Sequence, residues 1–384
     1  AKDFQAAGYS TGAFGKWHNG MPSFPADGKG QIVDFDSVRV WNELHQKWTS
    51  DLNNGIFDKS KNYDWGDGVN AYGFDRWVGY YAGGGDLFNR FSNWHHDINW
   101  WHDRSYVPDE DGYTTDLITK HAIDFIEESK DGPFFCYIPH EAVHGPLQVK
   151  LSDLKELCAR FPGEWDFVRK IVSPTTGRKI EDVEELRCEV GAEFDFSKID
   201  PEREHYMHLI YATYLYSLDK NVGAVVQKIR ELDQMENTIF LFTADNGATW
   251  EGCNLPFKGR KHMLWDGGVH VPAAVWWPGS FDAATAPYAK GNNTYEGYIG
   301  YIDIYPTLMA MSGQKCNATE IDGFDNWENL QKRENGRSGL ENAMFWMWRD
   351  HGSVRTDRWK LMYSESAGRA ELYDLQSDVS ESAD

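Results

Sequence analysis

The sequence has no run of 18 apolar residues, so no segment of it is predicted to cross a bilayer as a helix. It is also poor in basic residues, because 38 Lys and Arg face 60 Asp and Glu and the formal net charge is −22. Such a charge repels phosphate backbones and anionic lipids, so nucleic-acid and membrane-surface partners are disfavoured. The five cysteines follow no regular spacing, which excludes a disulfide framework but allows one pair.

The most informative segment is an apolar strand that is followed directly by two side chains with hard oxygen donors. Residues 238–243 are β-branched and aromatic, and they are predicted to form a buried parallel strand with Asp245 and Asn246 at its carboxyl end. Ligands bind at that edge of open α/β sheets, and a carboxylate with an amide carbonyl suits calcium or magnesium rather than zinc. Lys261 follows shortly and could hold an anionic substrate. The alternative is an Asx-turn that only ends the strand.

Two further segments bring polar side chains to the ends of predicted strands. Lys16 and His18 are two residues apart in an extended segment, which sends both side chains to one face. Residues 133–138 predict another strand, and it is followed by His140 and His144. We interpret His140 as structural and His144, which precedes a Gly-Pro turn, as the functional candidate. A surface lysine and hydrogen-bonded loop histidines are the alternatives.

Taken together, these segments resemble the sulfatase family, the formylglycine-dependent sulfate ester hydrolases of the alkaline phosphatase superfamily. The resemblance covers nearly the whole chain and is carried by several moderately specific motifs in the right order. The motifs lie at residues 8–20, 72–79, 113–116, 144–149, 259–272, 276–279, 303–308 and 371–375. Two of these, 144–149 and 259–272, are most similar to the arylsulfatase B-like polysaccharide sulfatases.

The resemblance implies one Ca²⁺ ion and a pair of lysines that hold the sulfate. Asp245 and Asn246 match part of the calcium ligand set. Lys16 and Lys261 match the lysines that contact the sulfate oxygens, where they would offset the charge that builds up as the ester bond breaks.

The resemblance also implies how protons move. His144 matches the histidine that protonates the leaving oxygen, and His18 matches the histidine beside the nucleophile. Arg260 lies next to Lys261, where it either assists substrate binding or faces solvent.

The family's nucleophile segment is missing from this sequence. Sulfatases carry an Asp-Asp pair and a Cys-x-Pro-x-Arg segment, or a Ser variant, whose first residue becomes formylglycine. None of the five cysteines has proline and arginine at those offsets. We interpret the chain as truncated at its amino end, and we expect the 384-residue fragment to be inactive by itself.

Strand and helix signals alternate along the chain, which predicts an α/β fold with a doubly wound, mostly parallel sheet of the alkaline phosphatase/sulfatase type. Helices are expected at 115–128 and 202–232, and further strands at 238–244 and 273–277. Short strand-like pieces after residue 313 predict a small antiparallel α+β subdomain. The predicted domains are therefore a catalytic α/β domain, 1–312, and a carboxyl-terminal subdomain, 313–384.

A segment rich in Trp and His, residues 91–106, suggests a saccharide-binding rim. The rings of Trp100 and Trp101 could stack on pyranose rings. The alternative is a loop fixed by its own tryptophans. The 17 tryptophans of the chain favour the sugar-binding interpretation, and the predicted substrate is a saccharide sulfated on galactose or N-acetylgalactosamine.

The predicted function is sulfuric ester hydrolysis, and two alternatives stay open. A phosphate or phosphonate ester hydrolase of the same superfamily is disfavoured, because such relatives tend to have histidine ligands where this chain has Asn246. A noncatalytic saccharide-binding protein would explain the missing nucleophile. The resemblance also implies export, to the periplasm, the medium or lysosomes.

Overall fold

The structure is a computed structural model of the 384-residue chain. The residues it describes are 1–17, 33–34, 39–42, 47–49, 69–80, 87–88, 100–103, 105–107, 110–169, 185–188, 201–280, 294–316, 321–332, 334, 336–337 and 339–383. They form two compact units, Ala1–Leu232 and Asp233–Asp384. The predicted boundary after residue 312 falls inside the second of these units, and the predicted division into 1–312 and 313–384 stays a prediction.

The first unit contains both helices and strands. Its helices are α1 (Lys2–Ala6), α2 (Thr114–Glu128), α3 (Leu151–Cys158), α4 (Glu164–Val168) and α5 (Pro201–Glu231). Its strands are β1 (Ser10–Lys16), β2 (Val33–Asp34), β3 (Arg39–Asn42), β4 (Lys47–Thr49), β5 (Arg76–Tyr80), β6 (Trp101–His102), β7 (Ser105–Tyr106), β8 (Phe134–Tyr137), β9 (Leu147–Lys150) and β10 (Glu185–Cys188). The predicted helices at 115–128 and 202–232 and the strand at 133–138 are confirmed.

The main sheet of the first unit has the order β7-β6-β5-β1-β8, and β1 pairs in parallel with both β5 and β8. The five central residues of β1 are buried, as expected for a parallel strand that is covered on both faces. Helix α2 packs on this sheet through Phe125, whose ring centroid lies 5.4 Å from that of Phe14. Helix α5 packs in turn against α2, α3 and β9. The α/β class predicted from the sequence is confirmed.

One glycine lets the chain pack closely where β1 ends. Gly15 has φ +128°, and a Cβ atom at this position would lie 2.2 Å from the carbonyl oxygen of Pro139, just after β8. No side chain fits there without moving the backbone that carries Lys16.

We expect Gly15→Ala to destabilise the first unit by more than about 2 kcal/mol, since it combines a steric clash with an unfavourable φ angle. Urea unfolding followed by tryptophan fluorescence measures the loss. Gly132→Ala is the matched control, because a Cβ at Gly132 meets no atom within 4 Å. Equal stability of the two variants would contradict the close contact.

The second unit contains three helices and six strands among its described residues. The helices are α6 (Asp266–Val269), α7 (Tyr301–Met311) and α8 (Trp327–Lys332). The strands are β11 (Phe240–Thr243), β12 (Ala273–Trp276), β13 (Met344–Trp348), β14 (His351–Arg355), β15 (Trp359–Ser364) and β16 (Arg369–Asp374). The last four form an antiparallel sheet in the order β13-β14-β15-β16, which confirms the predicted antiparallel strands near the carboxyl end.

The prediction of a buried parallel strand at 238–243 is wrong in two respects. Strand β11 pairs antiparallel with β12, with Phe240 opposite Trp276. Its side chains are also not buried, since Leu241 is 40% and Phe242 46% exposed. An apolar run in the sequence predicts a strand, but it does not give the direction of the neighbouring strand. Here the chain between β11 and β12 passes through α6 and returns antiparallel to β11.

A cluster of buried charges joins α6 to the antiparallel sheet. The Nζ atom of Lys360 lies 2.6 Å from Oδ1 of Asp266 and 2.9 Å from Oε1 of Glu381, and all three side chains are buried. Arg355 contacts the other carboxylate oxygen of Asp266 at 3.2 Å. Burial raises the pKa of Asp266, but a hydrogen bond from His270 and the charges of Lys360 and Arg355 outweigh it and lower the pKa below its usual range.

Among the described residues, no helix combines the length and the apolar composition that a membrane crossing requires.

Candidate functional site

Lys16 ends β1 at the carboxyl edge of the first unit's sheet. It lies opposite Tyr80 of β5, and its backbone N–H donates to the carbonyl oxygen of Pro139 at 2.8 Å. The carboxyl ends of β1, β5 and β8 therefore meet at one edge, and the segment after β8 passes beside Lys16. This is the edge at which open α/β sheets bind ligands.

His144 lies in that segment after β8 and is half-buried. Its backbone N–H donates to the carbonyl oxygen of Glu141 at 2.7 Å, and its Nδ1 lies 2.7 Å from the carbonyl oxygen of Gly145. A carbonyl oxygen only accepts, so Nδ1 carries a proton and Nε2 is the nitrogen that gains or loses one. The first unit therefore brings Lys16 and the His144 segment to the same sheet edge, with a ring nitrogen suited to proton transfer.

The neighbouring histidine, His140, has a different environment. Its two ring nitrogens are buried and have no hydrogen-bond partner among the described residues. Burial lowers the pKa of His140 to about 4, so this ring is neutral near pH 7. The structural role that we predicted for His140 stays a prediction.

In the second unit, Asp245 and Asn246 follow β11 directly, as predicted. Oδ1 of Asn246 is buried and accepts no hydrogen bond within the described part of the chain. A buried oxygen acceptor without a donor is costly, and a hard cation would satisfy it. The preceding residue, Asp245, is exposed and contributes a carboxylate. The pair therefore fits an oxygen-ligated divalent ion.

Close backbone packing brings Lys261 to the same turn. The N–H of Gly247 donates to the carbonyl of Gly268 at 2.9 Å, and the N–H of Lys261 donates to the carbonyl of Ala248 at 3.2 Å. A Cβ at Gly247 would lie 1.8 Å from the carbonyl oxygen of Gly267, so only glycine permits this crossing. The second unit thus holds Lys261 beside the turn that carries Asp245 and Asn246.

Arg260 faces an aromatic ring. Its guanidinium carbon lies 3.2 Å from the ring centroid of Trp250, which is a cation–π contact. This contact holds the guanidinium over the ring, and an anion-binding role for Arg260 stays a prediction.

The other predicted site residues have different outcomes. Trp100 and Trp101 are 1% and 3% exposed, so their rings cannot stack on a sugar, and their assignment to substrate binding is wrong. The burial of these two rings is what the alternative interpretation expects of them, while residues 91–99 lie outside the described residues. His18 lies outside the described residues.

The sequence interpretation missed residues that position the second unit's site. Asn254 accepts a hydrogen bond from the N–H of Ala248 at 2.8 Å and donates to its carbonyl at 3.0 Å, which fixes the turn after Asn246. No pattern marks a single asparagine as a loop anchor, so this role depends on contacts that only the fold shows. Gly247 and Gly268 were visible as glycines, but their contact across the loop was not.

Comparison with known proteins identifies the family to which the sequence is similar. The profile of the family described as Sulfatase matches residues 2–314. The "Uncharacterized sulfatase YdeN" of Escherichia coli (strain K12) is 26% identical over 312 residues, which cover 80% of this chain and 42% of that protein. The N-acetylgalactosamine-6-sulfatase of Mus musculus is 26% identical over 220 residues, which cover 55% of this chain and 31% of that protein. The chain spans less than half the length of these curated relatives.

A solved structure shares the fold. The crystal structure of Ps i-CgsB in complex with k-i-k-neocarrahexaose superimposes with a TM-score of 0.68 at 22% sequence identity, and the match covers 100% of this chain and 68% of that one.

Proposed function

The chain belongs to the sulfatase family, and from that premise we propose that it is part of a sulfuric ester hydrolase that removes sulfate from sulfated carbohydrates. The names of similar proteins support the carbohydrate class. One relative is an N-acetylgalactosamine-6-sulfatase, and a structural neighbour was crystallised with neocarrahexaose. We propose a sulfated galactose or N-acetylgalactosamine unit as the substrate, and export as the location.

The observation that carries the proposal is the buried Oδ1 of Asn246, which has no donor among the described residues and lies beside Asp245, with Lys261 held at the same turn. Asp245 and Asn246 would hold a calcium ion, which when bound would offset negative charge on the sulfate oxygens. The ammonium group of Lys261 would contact the same sulfate group.

The residues of the first unit have complementary roles in this proposal. Lys16 holds a sulfate oxygen through its ammonium. His144 donates a proton from Nε2 to the departing sugar oxygen, while its Nδ1 stays bonded to the carbonyl of Gly145. His18, beside the nucleophile, takes a hydroxyl proton as the sulfated intermediate collapses, and Arg260 assists sulfate binding.

The nucleophile is not among the 384 residues, because none of the five cysteines has the sequence context that the family modifies to formylglycine. The roles proposed for this chain are therefore substrate binding, metal binding and proton transfer. We propose that these 384 residues by themselves do not hydrolyse sulfate esters, and activity is to be measured on the product of the complete gene.

The test compares sulfate release from galactose and N-acetylgalactosamine sulfates with phosphate release from the matched phosphate esters. We expect calcium-dependent sulfate release, with phosphate esters cleaved far more slowly. Binding of the sulfated sugars without hydrolysis would favour a noncatalytic saccharide-binding protein instead, and preferred cleavage of phosphate esters would favour a phosphohydrolase.

In the same assay, we expect Lys261→Ala to lower kcat/KM by about a hundredfold, because one preorganised charge on the transferring group is lost. Lys315→Ala, at an exposed position in the same unit, is the control and should leave the rate unchanged. Equal kcat/KM values for the two variants would show that Lys261 does not contribute to sulfate binding.

A further inference from the structure

Two histidines and a glutamate meet in the first unit, away from the edge that carries Lys16. The three side chains are His102 of β6, Glu110 in the segment before α2, and His121 of α2. His102 pairs with Val78 in the middle of β5, whereas Lys16 lies opposite Tyr80 at the carboxyl end of that strand. The cluster is therefore distinct from the proposed sulfate site.

The ligating atoms of the three residues converge. Nε2 of His102 lies 2.8 Å from Oε2 of Glu110, and Nε2 of His121 lies 2.7 Å from Oε1 of the same carboxylate. All three ligand atoms lie within 4.8 Å of one another. Donors around a tetrahedral zinc ion are roughly 3.3 Å apart, so small side-chain movements would make room for an ion.

The surrounding contacts hold these side chains in place. Asp103 follows His102 and accepts the backbone N–H of Trp77 through Oδ1 at 2.7 Å, while its own N–H donates to the carbonyl of Trp77 at 2.7 Å. The indole N–H of buried Trp100 donates to Oε2 of Glu110 and orients that carboxylate. Neighbours that orient ligands in this way are typical of metal sites.

The donor set selects the kind of ion. Two imidazole nitrogens and one carboxylate are the protein ligands of many zinc sites that keep a fourth position open. Imidazole does not suit calcium, which takes oxygen ligands. This cluster would therefore take a different ion from the one proposed for Asp245 and Asn246.

A cavity provides both an entry path and an open coordination position. It has a volume of about 240 Å³, and both His102 and His121 line it together with Asp103, Asp124 and Glu128. Three carboxylates line its wall. Glu128 pairs with Arg76 at 2.8 Å and Asp124 pairs with Lys120 at 3.0 Å, so the acidic groups still outnumber the cations beside them and favour a cation in the cavity.

We propose that His102, Glu110 and His121 form a binding site for one zinc-type divalent ion, whose fourth position opens to this cavity. The ion would link the β6–β7 hairpin to helix α2. This proposal is independent of the sulfatase activity, because it is tested by binding to the 384-residue chain.

The experiment is calorimetric titration of the chelator-treated chain with Zn²⁺ in excess Ca²⁺, together with Co²⁺ absorption as a reporter of coordination geometry. We expect one Zn²⁺ per chain, a tetrahedral-type Co²⁺ spectrum, and a Tm that rises with Zn²⁺ concentration. Glu110→Gln keeps the size of the side chain but removes its charge, and it should lower the Zn²⁺ affinity at least about tenfold, as should His121→Ala.

The matched control is His205→Ala, because Nε2 of His205 also lies 2.7 Å from a glutamate oxygen, that of Glu164. It should bind Zn²⁺ like the parent. Three results would overturn the proposal: no Zn²⁺ binding by the folded parent, unchanged binding by folded Glu110→Gln, or displacement of Zn²⁺ by excess Ca²⁺.

Discussion

Replacing His144 with alanine is expected to lower kcat/KM of the complete enzyme on a sugar sulfate by about 10²- to 10⁴-fold. The reason is that a sugar alkoxide is a poor leaving group and needs a proton as the S–O ester bond breaks. In the structure, Nδ1 of His144 is bonded to the carbonyl of Gly145, so Nε2 is the nitrogen that can deliver this proton. The measurement is steady-state sulfate release by the parent and the variant.

A second substrate distinguishes proton donation from a general loss of structure. With 4-nitrophenyl sulfate the leaving phenolate is stable without a proton, so the same variant should lose far less activity. The control is His208→Ala, an exposed histidine of α5, which should behave like the parent on both substrates. Equal losses on the sugar and aryl sulfates would show that His144 is not the proton donor.

Replacing Lys360 with methionine is expected to destabilise the second unit by about 3–5 kcal/mol. The ammonium of Lys360 is fully buried between the carboxylates of Asp266 and Glu381, at 2.6 and 2.9 Å. Its removal leaves two buried carboxylates, and within the described part of the chain only the side chain of Asp266 keeps an arginine partner, Arg355. Urea unfolding, with hydrogen exchange of β14 and β15 as a local measure, reports the loss.

A double variant tests whether charge is the cause. Adding Glu381→Gln to Lys360→Met should restore part of the lost free energy, because the neutral amide needs no ammonium beside it. Lys315→Met at an exposed position should change the stability by less than about 0.5 kcal/mol. If Lys360→Met is as mild as that control, the buried cluster does not hold the unit together.

The sequence was sufficient for the two long helices and for several of the strands. Apolar periodicity located α2, α5 and β8 to within one or two residues, because periodicity is a local property of the chain. Periodicity could not predict the antiparallel pairing of β11, since the relative direction of two strands depends on a partner strand about thirty residues away in the sequence. It also misassigned Trp100 and Trp101, because an aromatic residue in a loop has the same sequence signal whether it is buried or exposed.

By itself, the sequence determined that the chain is acidic, that it has an α/β pattern, that hard oxygen ligands follow one strand, and that sulfatase motifs occur in order. These are properties of residue type and spacing. Only the tertiary structure decided that a buried oxygen of Asn246 has no donor among the residues described, that Lys261 lies beside the same turn, and that His102, Glu110 and His121 meet. Such contacts join residues that are distant in the sequence, so they form only when the chain folds.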